Sequence, residues 1–208
     1  AVGNDPNSTA FDSHANSIWV GNLLDGTITQ INDTTLATST SGVTSVVYQM
    51  VFDPHTNSIW GSNYWGNFVA RIDDTTLATS TFTVGSHPED ITFDPHTNTI
   101  WTASYSNTVT RIDDTTLATS TIVIGGNPYG IAFDPHTNSI WVSNYGAGTL
   151  TKIDDTTFAT STVTVGGHPQ HIVFDSHTNS IWVPNYSSST VTRIDDTTFA
   201  TSSYAVSN

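Results

Sequence analysis

Along this chain, apolar and polar residues alternate in short runs, and each run stops at a cluster of Asp, Asn, Thr, Gly or Pro. Residues 129–134 (YGIAFD) form one such run, closed by DPHTN. Pro presets a turn and Asn tolerates left-handed backbone, so this pentapeptide reads as a tight connection between strands. Residues 139–143 (SIWVS) follow, β-branched and aromatic, as strands prefer. After the turn NYGAG come residues 149–153 (TLTKI), then the breaker DDTT, then a last strand over residues 160–165. No stretch carries the 3.6-residue apolar period of an amphipathic helix.

The same reading recurs along the whole chain. Phe11, Phe52, Phe93, Phe133 and Phe174 are spaced by 41, 41, 40 and 41 residues, and Trp19, Trp60, Trp101, Trp141 and Trp182 keep the same steps. A period of this length marks a solenoid or propeller array. Four strands per unit predict an all-β fold, a five-bladed β-propeller of four-stranded antiparallel blades. One domain is expected over residues 1–208, with blades at about 1–44, 45–85, 86–125, 126–166 and 167–208. A lone four-stranded meander cannot cover its own faces, so the recurrent Phe and Trp are expected to pack blade against blade.

The segments FDPHTNSIWVSNY, TVTRIDDTT and TVGSHP resemble the YVTN-type surface propeller repeat. They are also similar to NHL repeats and to the blades of virginiamycin B lyase-like proteins. The resemblance covers all five units and implies architecture more than activity. Those families build rings of six or seven blades, whereas this chain has five. A small ring is therefore expected, with an incomplete ring completed by another chain as the alternative. The segment from Ala1 to Gly3 aligns with the end of a fourth strand, so little strand exchange is available to clasp the ends. Closure is expected to rest on packing of blade one against blade five, which invites head-to-tail association with another copy.

Charge narrows the partners. Lys and Arg number 4 against 18 acids, for a net charge of −14, which argues against nucleic acid and anionic membrane surfaces. Arg71, Arg111, Lys152 and Arg193 share one repeat position, taken by Gln30 in the first unit, and each base is expected to pair with a nearby carboxylate. Cysteine is absent, which excludes disulfides and thiolate metal sites. No apolar run approaches the ~20 residues of a membrane span, so membrane insertion is not expected. The acidic, Lys-poor, Thr/Asn-rich composition suits an extracellular or cell-surface protein.

Recurrent polar residues read as structure. The pairs Asp73-Asp74, Asp113-Asp114, Asp154-Asp155 and Asp195-Asp196 lack the spacing of a calcium loop and suit turns whose Asp accepts backbone N–H groups. His14, His55, His96, His136 and His177 read as solvated turn residues. No metal site and no cofactor are expected.

Candidate function lies where the units differ. The loop entering each first strand and the loop joining strands two and three open on one face of a propeller. They supply Tyr48, Glu89, Asp90, Tyr129 and His171, and Tyr64, Trp65, Tyr105, Tyr145 and Tyr186, with His87 and His168 nearby. Aromatic faces among amides and acids suit a glycan or small polar ligand. The plainer reading is that the recurrent Tyr residues pack their loops. Nothing in the repeat requires Trp65, Glu89, Asp90 or His171.

A non-catalytic binding or structural module, lectin-like at the channel mouth, is the leading expectation. A homo-oligomeric or filament-forming subunit joined through the terminal blades is the second. The third follows from the resemblance: virginiamycin B lyase-like proteins imply magnesium-assisted elimination on this face. Their His/Glu site has no residue-by-residue match here, which leaves Glu89, Asp90 and His171 as the acid–base candidates. No nucleophile triad or phosphate loop is present, so no catalytic residue is assigned.

Overall fold

A computed structural model describes residues 2–42 and 47–206. The boundary expected at 44/45 and the first residue of the amino-terminal alignment lie outside them. Among the described residues twenty strands form five separate antiparallel sheets of four, each in chain order. The first sheet holds β1 (Pro6–Asp12), β2 (Ser17–Asn22), β3 (Thr27–Asn32) and β4 (Thr38–Gly42). The second holds β5 (Met50–Asp53), β6 (Ser58–Asn63), β7 (Phe68–Asp73) and β8 (Thr79–Thr83). The third holds β9 (Pro88–Asp94), β10 (Thr99–Ser104), β11 (Thr108–Asp113) and β12 (Thr119–Val123). The fourth holds β13 (Pro128–Asp134), β14 (Ser139–Asn144), β15 (Thr149–Asp154) and β16 (Thr160–Thr164). The fifth holds β17 (Val173–Asp175), β18 (Ser180–Asn185), β19 (Thr190–Asp195) and β20 (Thr201–Ala205). A 3-10 turn at Tyr186–Ser188 is the sole helical element among the described residues. The fold is an all-β, five-bladed propeller arrangement.

The DPHTN turn works by more than its Pro and Asn. Asn16, Asn57, Asn98, Asn138 and Asn179 do take left-handed φ of 46–52°. The buried Asp that opens the turn is the second device. Asp53 Oδ1 accepts the N–H groups of His55 and Thr56, while its Oδ2 accepts the Trp60 indole N–H at 3.3 Å. Asp12 and Asp134 hold Trp19 and Trp141 in the same way. One carboxylate thus fixes the hairpin and aims the Trp.

Aiming the Trp builds the joints. Trp19, Trp60, Trp101 and Trp141 are fully buried, each against the next blade. Trp60 shares its cluster with Ile91, Ile100, Ile112 and Leu117, and Trp141 with Ile181, Ile194 and Phe199. Burying a side chain of this size contributes about 3–5 kcal/mol against truncation to Ala. The Phe series behaves differently from expectation. It packs partly at these joints, but its rings also line an axial cavity of about 780 Å³ formed by β1, β5, β9, β13 and β17. The first strands carry the Phe toward the axis while the Trp, one strand further out, faces the neighbouring sheet.

Two expectations are corrected at the joints. The turn His residues are not merely solvated: His14, His55, His96 and His136 pair through Nδ1 with Asp74, Asp114, Asp155 and Asp196 of the next blade, at 2.7–2.8 Å. These carboxylates are buried while the imidazoles stay half exposed, and the pairing raises the pKa of His55 and His96. The bases do not pair with carboxylates. Among the described residues no Lys or Arg forms an ion pair; Arg71 lies 5.8 Å over Trp60 and bonds Ser58, and Lys152 lies over Trp141 and donates to the Asp196 carbonyl. With the acids committed to turns and His, Arg71, Arg111 and Lys152 stack on aromatic faces instead. The first Asp of each pair does accept turn N–H groups: Asp73 accepts from Thr76 at 2.7 Å, which holds its carboxyl below the usual range.

The fifth joint differs. Among the described residues no hydrogen bond, ion pair or ring contact links the fifth sheet to the first, so the expected blade-one/blade-five joint lacks the contacts that recur at the other four. Trp182 is half-buried, Tyr204 is 50% exposed, and Leu36 is 71% exposed. Among the described residues the ring is open there.

Candidate functional site

The loops before the first strands and between the second and third strands converge on one mouth of the axis. Tyr48 is held by its N–H to the Ser62 carbonyl (2.8 Å), and its own carbonyl accepts from the Asn7 amide (2.8 Å). Tyr64 lies 5.7 Å from Tyr48, 4.5 Å edge-on to Trp65 and 4.7 Å from the His87 ring. On the other side Tyr129 lies 5.6 Å from Tyr145 and 5.1 Å from His171, and Tyr145 stacks on His168 at 4.4 Å. Tyr105 joins this group through Tyr145 at 6.5 Å. Leu23, Tyr48, Tyr64, Trp65, Glu89 and Tyr129 enclose a cup of about 240 Å³.

Nine of the ten expected site residues therefore share this mouth. Tyr186 does not. It is 70% exposed on the 3-10 turn, beside the open face of the fifth sheet.

Acid and base meet across the axis, although Asp90 and His171 sit two blades apart in sequence order. Asp90 Oδ2 accepts the Ile131 N–H at 3.1 Å and lies 3.2 Å from His171 Nδ1. Asp90 thus ties blades three, four and five together, and its contact raises the His171 pKa. The approach depends on Gly130: a Cβ there would stand 2.7 Å from the Gln170 carbonyl oxygen and from the His171 Cα. Glu89 is buried, at 5% exposure, and forms no ion pair among the described residues. Burial raises its pKa to about 7; the Asp90 charge adds to this and His171 opposes it. The cup therefore presents a carboxylic acid that donates or accepts near neutral pH. Burial also raises the Tyr129 and Tyr64 hydroxyl pKa values, keeping both protonated.

Among the described residues no group of three His, Asp or Glu side chains is arranged to hold a metal ion. Asp90 and His171 contact each other, while Glu89 lines the cup. Sequence reasoning missed the stacking roles of His87 and His168. Their place just before Pro88 and Pro169, in loops entering the first strand, was the available signal.

Fold and site together define a propeller-like repeat protein with an aromatic cup at one mouth. The sequence matches no protein-family model, and no curated protein is significantly similar to it.

Proposed function

We propose that this protein is a non-catalytic binding module that takes a ring-sized neutral polar group, a sugar unit foremost, in the cup at its channel mouth. One observation carries the reading: Trp65, 68% exposed, stands at the rim of a cup walled by Tyr48, Tyr64 and Tyr129 with Glu89 at hydrogen-bonding depth. An exposed indole beside fixed phenol rings offers stacking faces for the C–H side of a sugar. Protonated Glu89 and the tyrosine hydroxyls supply polar groups that orient it. The cup is smaller than ordinary small-molecule clefts of ~300–1,000 Å³, which favours one ring over a long chain. The net charge of −14 disfavours anionic ligands. An extracellular setting and kinship with YVTN- or NHL-type surface propellers are consistent with this use and are part of the proposal.

A glycan array followed by titration calorimetry tests it. Saturable binding that Trp65→Ala reduces at least tenfold is the expected outcome. No binding across a broad array of neutral glycans would remove the reading.

A further inference from the structure

Every internal joint repeats one set of contacts. A Trp from one blade meets the Ile and Leu or Phe face of the next, and a turn His meets a buried Asp. The fifth blade carries the first half of that set and the first blade carries the second half, and both are more exposed than their counterparts at the internal joints. Trp182 is half-buried where its four counterparts are fully buried. His177 makes no ion pair among the described residues, and Asp33 is exposed where its four counterparts are buried.

Leu36 adds a separate observation. Its φ of 57° is left-handed, as in Leu77, Leu117, Phe158 and Phe199. Such backbone is strained for a residue with a side chain. At the internal joints that strain places a side chain against a Trp: Trp101 lies 6.1 Å from Phe158, and Trp141 5.6 Å from Phe199. At Leu36 the same strained geometry holds a side chain out to solvent.

We infer that the two terminal faces are halves of one heterologous interface, occupied by a second copy of this chain joined head to tail. The Trp182 face of one copy covers the Ile18, Ile31 and Leu36 face of the next, and His177 pairs with the partner copy's Asp33. Charge and shape both select this occupant, because the same surfaces already fit each other four times within one molecule. A heterologous contact of this kind builds rings or filaments according to the rotation it imposes. This surface is separate from the cup, so loss of glycan binding would not bear on it.

Complementation by mixing decides the matter. Trp182→Asp and Leu36→Asp each disable one face, and both positions are open enough for the blades to fold. Wild type should form species of at least twice the monomer mass by light scattering as concentration rises. Each variant alone should stay monomeric, and an equimolar mixture should give a dimer and nothing larger. Because the chain lacks cysteine, His177→Cys and Asp33→Cys chains can be joined by a short bis-maleimide. Cross-linked dimer should appear only when the two are mixed. A strictly monomeric wild type would overturn the inference. So would a His177→Cys/Asp33→Cys double variant that cross-links within one chain at every concentration, since the ends would then close on each other.

Discussion

Replacing Glu89 by glutamine isolates the cost of keeping an acid in the cup. The folded chain binds the proton up to about pH 7, whereas an exposed Glu loses it near 4.5. Between those values the folded state holds a proton that the unfolded state has released, so rising pH works against folding. At about 1.4 kcal/mol per pH unit the penalty reaches about 3 kcal/mol above pH 7. Water at the rim and the opposing His171 reduce it, so about 2–3 kcal/mol is the working figure. An amide in its place carries no such penalty and keeps a donor and an acceptor in position. For a chain of this size 1 kcal/mol moves Tm by about 2–4 °C. The Glu89→Gln variant should therefore melt about 4–12 °C above wild type at pH 8, and the gap should close toward pH 4.5. Thermal denaturation at matched ionic strength across that range is the assay. A gap that stays constant with pH would show that Glu89 titrates as an exposed carboxyl, and the description of the cup as a neutral donor would fall.

Other perturbations separate the joints from the site. Trp101→Ala should cost about 3–5 kcal/mol in chemical denaturation, while Trp182→Ala in dilute monomer should cost well under half of that; equal losses would contradict the open fifth joint. His55→Gln retains a donor to Asp114 but removes the raised imidazole pKa. Wild type should lead this variant most below pH 6.5 and lose the lead as pH rises through the raised value, and a lead that grows with pH would refute the clasp. Gly130→Ala should push residues 170–171 away and detach His171 from Asp90, read as a fall of the His171 pKa toward 6.5 by NMR titration; an unchanged titration would mean that the close approach is not needed.

The architecture was legible because period and strand chemistry agree in every unit: one Phe, one Trp, one Asp-Asn turn. Side-chain partners were harder to read. His55 and Asp114 are separated by 59 residues and belong to adjacent units, so the contact follows only from knowing which way each blade leans. Their joint recurrence was the signal, since a residue repeated on an exposed turn needs something repeated to hold it. The pairing of Asp90 with His171 was out of reach for another reason. It spans the axis between non-adjacent blades and depends on the close backbone approach at Gly130, which no periodic pattern encodes. The bases misled because a single cation amid many acids invites an ion-pair reading, whereas the acids were already engaged by turn N–H groups and imidazoles.

Identical couplings in series make the array additive. The stability of such a chain approximates a sum of blade terms and nearest-neighbour terms. Gaining or losing a whole unit at either end would expose the same two surfaces again, so copy number can drift by duplication without any new contact having to be invented. Cutting a unit within its first hairpin, by contrast, would strand a Trp without the carboxylate that aims it.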